Sequence, residues 1–451
     1  MQSFLTFLTF SAARPRSRPL RPGAVRQLAI GLGMLSLVST AMAQGLPTAK
    51  AEDVGMSSER LGRVGAWMRG EVAQKRVPGA TVMVVRGGKL VYSETVGSRG
   101  PDSVAPLRSD DIFRIYSMTK PLVSVAAMML VEEGRLLLEA PVARYIPSFA
   151  NVKVGVEKTD AQGNKSLELV APVRPMTVQD LLRHTSGLTY GFFGDSLVKK
   201  AYLNANVGTG GNITNAEFAE RIARMPLAYQ PGSTWDYSNS TDVLGRVIEV
   251  VSGQSLLVHL KERLLLPLGM KDTSFYVTEP ERQARIAEPF ADDRSIGVNA
   301  PVFDPRIAQG MESGGGGLMS TAMDYARFLM MLRNGGQLEG KRYISPATLA
   351  YMTSDQLSPA VTRTPLYLPG PGYGFGLGFA VRTSAGEAVY PAALGEYYWG
   401  GAGGTYMWVD PANDLFVVFM MQSPKWRVPY RSVLRNMIYG AITEAAPAIK
   451  R

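Results

Sequence analysis

The chain has 451 residues, a hydrophobic fraction of 46% and a charged fraction of 19%, values typical of a globular protein and not of a disordered chain. Its formal net charge of +10 falls to +5 without the five arginines of the first 43 residues, and no later segment concentrates Lys and Arg, so no nucleic-acid partner is predicted. The absence of cysteine excludes disulfides, a thiol nucleophile and a lipoprotein attachment cysteine.

The first 43 residues have the order of a secretory signal peptide. Arginines without any acid precede the apolar stretch LAIGLGMLSLVST, and Ala41-Met42-Ala43 follows with small residues at the cleavage positions. A membrane anchor is the alternative, but an apolar stretch of about 13 residues is shorter than the roughly 20 that span a bilayer. We therefore predict cleavage after Ala43, export to the periplasm or the exterior, and a mature protein without a membrane span.

An antiparallel hairpin is predicted for residues 79–97, where two β-rich runs flank Arg86-Gly87-Gly88-Lys89. The following segment, FRIYSMTKPLVSVAAMMLVEEGRL, changes from extended to helical near Ser117, and its apolar run ends at Gly134. Pro121 is compatible with a helix only in the first turn. The helix is therefore expected to begin at or near Ser117.

The middle of the chain, residues 146–310, lacks strong strand patterns and is predicted to be helical and rich in loops. Thr177 and Asp180 form a capping box that opens a helix, which closes at Gly187. The stretch VLGRVIEVVSGQSLLVHLKERLLLPLG gives two more helical periods, broken at Ser252-Gly253.

Strand patterns return in the last third of the chain. Ser320 or Thr321 caps a helix that ends at Asn334-Gly335-Gly336, and a last helix follows Pro429. Between these helices GFGLGFAV, TYMWV and LFVVFMM are strand candidates.

Strands near both ends of the chain predict that the two ends meet in one antiparallel sheet. The helical part is then an insertion and not an independent domain. We predict a single catalytic domain over residues 44–451, with an α/β lobe from about residues 50–145 and 311–445 and a helical lobe over about 146–310.

Histidine usage narrows the possible chemistry. His184 and His259 are the only histidines, so a Ser-His-Asp hydrolase would have to use one of them. His184 lies in the last turn of a predicted helix, where an imidazole is more often structural, and His259 is predicted on a helix surface. Two isolated histidines without cysteine do not make a conventional zinc site. A serine hydrolase on this chain therefore needs lysine or tyrosine as its base, and no metal or organic cofactor is predicted.

Two segments place a lysine three residues after a serine, a spacing that puts both on one helix face. Ser196 and Lys199 stand in a polar stretch, and we interpret them as surface residues with Lys199 in solvent. Ser117 opens the most apolar helix, whose N-terminal N–H groups favour developing negative charge. Lys120 would be partly buried there, and burial lowers the pKa of a lysine ammonium from about 10.4 toward a range where it accepts a proton.

The segment PGSTWDYSN, residues 231–239, offers a partner for this pair. A phenol near an ammonium group has its pKa of about 10 lowered, so Tyr237 and Lys120 could share the role of base. Asn239 is expected to orient Lys120 and to donate to a substrate carbonyl. The alternative for Tyr237 is a core tyrosine with a satisfied hydroxyl.

A third segment, YYWGGAGGTYMWV at residues 397–409, carries paired glycines ahead of a strand. Such glycines let backbone N–H groups approach a ligand closely, as an oxyanion hole requires. The alternative is a tight turn into an edge strand.

Together the three segments resemble the three motifs of serine β-lactamase-fold proteins, as Ser117-x-x-Lys120, Tyr237-Ser-Asn239 and Trp399-Gly400-Gly401. LLRHTSGL, GGGGLMSTAMDYARFLMMLRNGG and PLGMKDTSF also match that family, and the resemblance runs from about residue 50 to 445. It is closest to family VIII carboxylesterases and class C β-lactamases, with D,D-peptidases as relatives. The resemblance implies an α/β (α+β) fold of the serine β-lactamase / D,D-peptidase type, an antiparallel sheet flanked by helices with an inserted, mostly helical lobe.

The third motif departs from that of class C enzymes, whose Lys-Thr-Gly helps hold a substrate carboxylate. Trp399 stands in place of the lysine and Gly400 in place of the threonine, which weakens charge-assisted recognition of an anion. Aromatic residues in neighbouring segments suggest a largely neutral acyl or alcohol pocket, and these are Tyr190, Phe192, Phe193, Trp235 and Tyr406. A Trp-Gly-Gly third motif is what family VIII esterases show.

The resemblance therefore implies an exported serine carboxylesterase that acts on a small-molecule ester. Ser117 would attack the ester carbonyl while Tyr237, coupled to Lys120, takes its proton, and the oxyanion would lie between the N–H groups of Ser117 and Ala402. The expected substrate-binding residues are Tyr190, Trp235, Asn239, Trp399, Gly400 and Gly401. A β-lactamase or D,D-peptidase, an acyltransferase, and a non-catalytic binder that acylates and stalls remain as alternatives.

Overall fold

The computed structural model describes residues 45–101, 103, 105–205, 207, 213–293 and 303–445. The described strands are β1 Gly79–Arg86, β2 Lys89–Gly97, β3 Phe113–Arg114, β4 Val154–Thr159, β5 Lys165–Val170, β6 Thr234–Trp235, β7 Met319–Ser320, β8 Gln337–Leu338, β9 Lys341–Arg342, β10 Thr362–Arg363, β11 Tyr373–Phe375, β12 Ala380–Arg382, β13 Tyr397–Gly400, β14 Tyr406–Asp410 and β15 Leu415–Met421. The described α-helices are α1 Ser58–Ala73, α2 Thr119–Glu132, α3 Val178–Leu182, α4 Leu197–Asn204, α5 Asn215–Ala223, α6 Ser240–Ser252, α7 Leu256–Leu260, α8 Pro280–Gln283, α9 Ala322–Arg333, α10 Pro346–Met352 and α11 Arg427–Tyr439. The predicted signal peptide lies outside the described residues.

The central sheet joins the two ends of the described chain. Its strand order is β11-β12-β13-β14-β15-β1-β2, and β1 runs antiparallel to β15 with Ala80 opposite Met421. Every residue of β1 and β15 is buried, because helices cover both faces of the sheet. The prediction that N-terminal and C-terminal strands meet in one antiparallel sheet is confirmed.

The predicted hairpin at residues 79–97 is formed by β1 and β2. Gly87 and Gly88, which connect the strands, both have positive φ, 58° and 69°. A two-residue turn with both residues in this region matches the twist of the strands, and glycine enters it without a steric penalty. On the sheet, α1 packs against β2 and α11, while α9 packs against β1 and β15.

The helix predicted at Ser117 begins slightly later than expected. One turn of 3₁₀ helix, Tyr116–Met118, leads into α2, and Gly134 follows the helix with φ of 70°. Pro121 lies in the first turn, as the sequence requires. Twelve of the fourteen residues of α2 are buried, so this helix runs through the core between the sheet and the middle of the chain.

Other predicted helix boundaries are confirmed in part, and the last helix, α11, begins at Arg427 and not after Pro429. Thr177 and Asp180 form the predicted capping box at α3, although that helix ends at Leu182. α6 ends before Gly253, which has φ of 76°. Thr321, and not Ser320, caps α9 by accepting a hydrogen bond from the amide of Asp324.

Two strand predictions need correction. The middle of the chain contains a hairpin, β4 paired with β5, which the sequence did not indicate because its strands are rich in charged residues. The stretch GFGLGFAV is not one strand but the short strands β11 and β12, joined by a turn in which Gly378 has φ of 96°. A side chain at Gly378 would collide with Ser124 of α2, so the turn lies tight against that helix.

Among the described helices none is by itself both long and apolar enough to cross a membrane. Ser240–Ser252 and Leu256–Leu265 reach the required length and composition only when counted together, and they are bent by 78° with respect to each other.

Candidate active site

Ser117 lies in the 3₁₀ turn directly before the buried helix α2. Its side chain is partly exposed, while its neighbours on both sides, Tyr116 and Met118, are buried. The Tyr325 hydroxyl donates to the Met118 carbonyl at 2.9 Å, and the Thr119 hydroxyl accepts from the Leu318 amide at 3.1 Å. These bonds fix the backbone around a serine that solvent can still reach.

Tyr116, the residue before Ser117, has a strained backbone. Its φ of 45° lies in the left-handed region, which a bulky side chain rarely adopts. Its ring packs edge-on against Phe303 with centroids 5.8 Å apart, and Gly403 leaves the space that the ring occupies. Strain of this kind persists only where the surrounding structure imposes it, as at functional sites.

The structure brings Ser117 and Lys120 together. Lys120 is 1% exposed, and its Nζ lies 3.5 Å from the Ser117 hydroxyl oxygen. The ammonium group also donates to the Gly315 carbonyl at 2.6 Å and to the Tyr190 hydroxyl at 3.3 Å. A buried lysine with these contacts is held in place at the serine that it would serve.

Tyr237 faces the same lysine with its ring. Nζ of Lys120 lies 4.4 Å from the centre of that ring, a cation–π distance. The Tyr237 hydroxyl accepts a hydrogen bond from Nε1 of Trp399 at 3.3 Å, so the second and third motifs are in direct contact. In the described part of the chain this hydroxyl has no hydrogen bond to Lys120 or Ser117.

Tyr190 is a second phenol at the lysine, which the sequence indicated only as part of a pocket. Its hydroxyl accepts from Lys120 and neighbours the Asp242 carboxylate. Burial, and then the negative charge of Asp242, raise the pKa of Tyr190 well above its ordinary value, so the phenol stays protonated.

Asp242 is a site residue that sequence reasoning missed. Its carboxylate accepts from the Gly315 amide at 2.9 Å and from the Ser313 hydroxyl at 2.5 Å. Burial raises its pKa, while the nearby charge of Lys120 opposes that rise. Asp242 therefore fixes the glycine-rich loop whose carbonyl holds Lys120. The available signal was only an acid in the first turn of a helix, which is common at helix N-termini.

Two predicted site residues have other roles. Within the described residues Asn239 has no hydrogen bond to Lys120; its side-chain amide donates to the Thr189 carbonyl at 2.8 Å and so anchors the loop that carries Tyr190. Trp235 is fully buried behind Tyr237, with the two rings stacked at 6.1 Å, and it cannot line an open pocket. Tyr406 packs against Tyr398 and Trp408, away from Trp399.

Both histidines are buried. His184 follows α3 with φ of 57°, its Nδ1 lies 3.3 Å from the Ser238 hydroxyl, and its ring packs against Tyr237 at 4.9 Å. Burial lowers the pKa of His184 well below its usual value, so it stays neutral. His259 is 1% exposed, which corrects the prediction that it lies on a helix surface. Within the described residues, neither imidazole has a hydrogen bond to Ser117 or Lys120.

The third motif packs onto the segment that leads to Ser117. Gly401 donates its amide to the Thr405 carbonyl at 2.8 Å, and the Thr405 hydroxyl donates to the Ile115 carbonyl at 3.2 Å. A side chain at Gly401 would collide with that same carbonyl of Ile115. Among the described residues, the amides of Ser117 and Ala402 have no protein acceptor. Two unpaired backbone donors at neighbouring segments are what an oxyanion hole requires.

The second serine–lysine pair differs from its prediction in one respect. Ser196 caps α4 by accepting from the Lys199 amide at 3.1 Å. Lys199 is not in solvent, because its ammonium forms a buried ion pair with Asp236 at 3.2 Å. Lys200, its neighbour, is exposed and pairs with Asp195.

Breaking this pair is expected to destabilise the protein. Lys199→Met or Asp236→Asn should each lower the free energy of unfolding by about 3–5 kcal/mol, because the partner is left buried and unpaired. Urea denaturation followed by tryptophan fluorescence measures the change. The double variant Lys199→Met/Asp236→Leu should recover most of the loss, whereas single losses below about 0.5 kcal/mol, the scale of ordinary surface substitutions, would contradict the prediction.

Three half-buried aromatic residues, Tyr190, Phe192 and Phe193, pack beside the buried Tyr237 and Trp399. Tyr190 stacks on Phe192 at 4.9 Å, Phe193 packs against Tyr237 at 5.9 Å, and Trp399 packs against Tyr237 at 5.4 Å. A surface cleft of 350 Å³, lined in part by Lys153, Leu169 and Arg224, contains none of the predicted site residues.

Comparison with known proteins extends over most of the chain. A family model described as Beta-lactamase matches residues 64–439. Protein Rv1367c of Mycobacterium tuberculosis is 36% identical over 353 residues, which cover 76% of this chain and 85% of that protein. Esterase EstB of Burkholderia gladioli is 31% identical over 420 residues, which cover 87% and 98%. The solved structure of EstCE1, described as a hydrolase with promiscuous acyltransferase activity, has a TM-score of 0.70 at 26% identity and covers 86% of this chain and 99% of its own.

These similarities confirm the predicted α/β fold of the serine β-lactamase type, with an antiparallel sheet between helical layers. They also confirm the resemblance on which the sequence analysis relied.

Proposed function

The chain belongs to the β-lactamase family, and from that premise we propose that it is a serine hydrolase that cleaves carboxylic esters through an acyl-enzyme on Ser117. The observation that carries the proposal is the partly exposed Ser117 hydroxyl, whose oxygen lies 3.5 Å from the buried Nζ of Lys120. Among the described residues, the amides of Ser117 itself and of Ala402 have no acceptor. Nucleophile, base and oxyanion donors then lie within one small region.

In the proposed reaction one member of the Lys120/Tyr237 pair is deprotonated, as a neutral amine or a phenolate, and it takes the Ser117 proton while the Ser117 oxygen attacks the ester carbonyl carbon. The carbonyl oxygen becomes an oxyanion between the amides of Ser117 and Ala402. Collapse of this intermediate expels the alkoxide, which takes the proton and leaves as an alcohol. Water then repeats the same steps on the acyl-serine, releases the carboxylic acid and restores the Ser117 hydroxyl.

Several contacts support an ester over a β-lactam as the substrate. Trp399 occupies the position of the lysine that holds a β-lactam carboxylate in class C enzymes. Its indole N–H donates a hydrogen bond to the Tyr237 hydroxyl at 3.3 Å. Tyr190, Phe192 and Phe193 add apolar ring surface beside Tyr237, which suits an acyl or alcohol group.

The direct test is detection of the covalent intermediate. Brief exposure to a panel of p-nitrophenyl esters should raise the intact mass of the protein by one acyl group, and peptide mapping should place that group on Ser117. A chromogenic cephalosporin in parallel distinguishes a β-lactamase. Adducts at another residue, or turnover of the cephalosporin alone, would overturn the proposal, and acylation without product release would indicate a binder that stalls.

Acyl transfer is a second candidate, because EstCE1 is described as having promiscuous acyltransferase activity. An acceptor alcohol would replace water in the second half of the reaction. Adding butanol during hydrolysis of a p-nitrophenyl ester should then convert part of the acyl groups to butyl ester, which gas chromatography measures.

We also propose that the protein is exported, from the signal-like order of residues 1–43. The mature N-terminus should be Gln44, as read by mass spectrometry of protein from periplasmic and culture fractions. A protein that keeps its first 43 residues and stays in the cytoplasmic fraction would refute the proposal.

A further inference from the structure

A buried ion pair lies directly beside the second motif. Asp236 precedes Tyr237 in the chain, and its carboxylate pairs with Nζ of Lys199 on α4 at 3.2 Å. Asp236 and Lys199 are each only 4% exposed. Well-packed apolar residues of similar volume are often as stabilising as a buried ion pair, because both charges must be removed from water. Stability alone therefore does not account for two charges at this place.

The polar groups around this ion pair are incompletely satisfied. Among the described residues, Oδ2 of Asp236 and the hydroxyl of Tyr202 are buried without a hydrogen-bond partner. Burial raises the pKa of Asp236, while the neighbouring Thr189 hydroxyl and the Lys199 ammonium oppose that rise. Unpaired buried oxygen atoms are costly, and a fold that retains them calls for a reason other than stability.

Lys199 also holds the loop of residues 190–194. A side chain at Gly194 would contact Nζ of Lys199 at 3.5 Å and its Cδ at 3.7 Å. A side chain at Gly191 would collide with the Lys199 carbonyl, so the loop lies directly on the backbone of α4. The side chain of Lys199 therefore connects α4 and this loop to Asp236.

Both phenols at Lys120 belong to the segments that the ion pair joins. Tyr190 begins the loop, and its hydroxyl accepts from Lys120 at 3.3 Å. Tyr237 directly follows Asp236, and its ring centre lies 4.4 Å from Nζ of Lys120. The backbone of Asp236 is also fixed, because its amide donates to the His184 carbonyl at 3.0 Å. A shift of α4 relative to the second motif would therefore move both phenols with respect to Lys120.

We propose that Lys199 and Asp236 are positioning residues, whose ion pair holds both phenols in place at Lys120. A charge-assisted contact has a preferred geometry, which apolar side chains of the same volume do not impose. Misplacing a reacting group by about 1 Å can lower a rate about 10²-fold. The pair acts through the two phenols and does not touch the ester. This inference rests on the proposed esterase function and adds to it two residues outside the three motifs.

The test uses a variant that separates stability from positioning. Lys199→Met/Asp236→Leu should keep most of the wild-type stability, because no charge is left buried without its partner. Its acylation rate with p-nitrophenyl butyrate, measured as pre-steady-state release of p-nitrophenol, should nevertheless fall at least about tenfold. Asp236→Asn keeps the volume and one acceptor oxygen, so its folded fraction should acylate at an intermediate rate. A wild-type acylation rate in the double variant would overturn the positioning role.

Arg333→Met/Asp414→Asn is the matched control. Arg333 and Asp414 form a partly buried ion pair that joins α9 to the turn after β14. That turn lies at the opposite end of β14 from Tyr406, the residue that pairs with Gly400 of the third motif. The folded control variant should acylate at the wild-type rate. An equal loss of rate in this control would show a general effect of removing an ion pair and would count against a specific positioning role.

A spectroscopic measurement separates this inference from the proposed function. The indole N–H of Trp399 donates to the Tyr237 hydroxyl, so its NMR signal reports the position of Tyr237 without any substrate. This signal, assigned with Trp399→Phe, should shift in Lys199→Met/Asp236→Leu, while the indole signal of Trp67 on α1 should not. If wild-type protein hydrolyses no ester, the esterase proposal fails while the Trp399 signal still decides the positioning role. An unshifted Trp399 signal in the double variant would refute the positioning role alone.

Discussion

Ser117→Ala is expected to lower kcat/KM for a p-nitrophenyl ester by at least about 10⁴-fold, because removal of a covalent nucleophile leaves only the weak contribution of binding and the oxyanion donors. The loss should appear in kcat, since the neighbouring amides and aromatic rings that hold the ester do not depend on the hydroxyl. Steady-state kinetics and the absence of an acyl adduct in intact-mass spectra provide the measurement.

Ser196→Ala is the matched control, since it removes the serine of the other S-x-x-K segment. Its hydroxyl caps α4 by accepting from the Lys199 amide at 3.1 Å, so the expected cost is about 1 kcal/mol of stability, with turnover nearly unchanged. Comparable activity losses in the two variants would refute Ser117 as the nucleophile.

Lys120→Met is expected to lower the acylation rate by about 10²–10⁴-fold, the contribution of a positioned acid–base group. Nζ of Lys120 lies 3.5 Å from the Ser117 hydroxyl oxygen, and its contacts with Gly315 and Tyr190 hold it there. Pre-steady-state release of p-nitrophenol isolates this step from deacylation.

Lys120→Arg is the informative companion to that variant. It keeps a positive charge against the Tyr237 ring, but a guanidinium does not give up its proton in proteins, so acylation should remain slow. Recovery of wild-type acylation in Lys120→Arg would show that the lysine contributes charge and not proton transfer, and the base would then have to be Tyr237 alone.

The sequence predicted the parts of the fold that depend on strong local patterns. The β1–β2 hairpin has turn glycines between two apolar runs, and α2 has a long apolar run with Pro121 in its first turn. The approach of Ser117 to Lys120 followed from helical spacing alone. These features are local, so neighbouring residues in the chain suffice to specify them.

The missed features depend on contacts between distant segments. Asn239 was expected to orient Lys120, but its side-chain amide donates a hydrogen bond to the carbonyl of Thr189, 50 residues away in sequence. Lys199 looked exposed because its neighbours are polar, and only the fold reveals Asp236 as its buried partner. The Gly315 amide donates to the Asp242 carboxylate, although the two residues are 73 positions apart in sequence. No periodicity or spacing encodes such pairings.

The pairing of β1 with β15 has a consequence for how this protein reaches its native state. Strand β1 is synthesised before all the helices and strands that lie between it and its partner strand β15 in the chain. Contacts between residues this far apart in sequence form slowly, since the intervening loop must close first. The apolar strand β1 therefore remains without its inner neighbour until β15 has been synthesised, a state prone to aggregation. Truncations that remove β15 should on this account make the protein less soluble, although β15 carries none of the proposed catalytic residues.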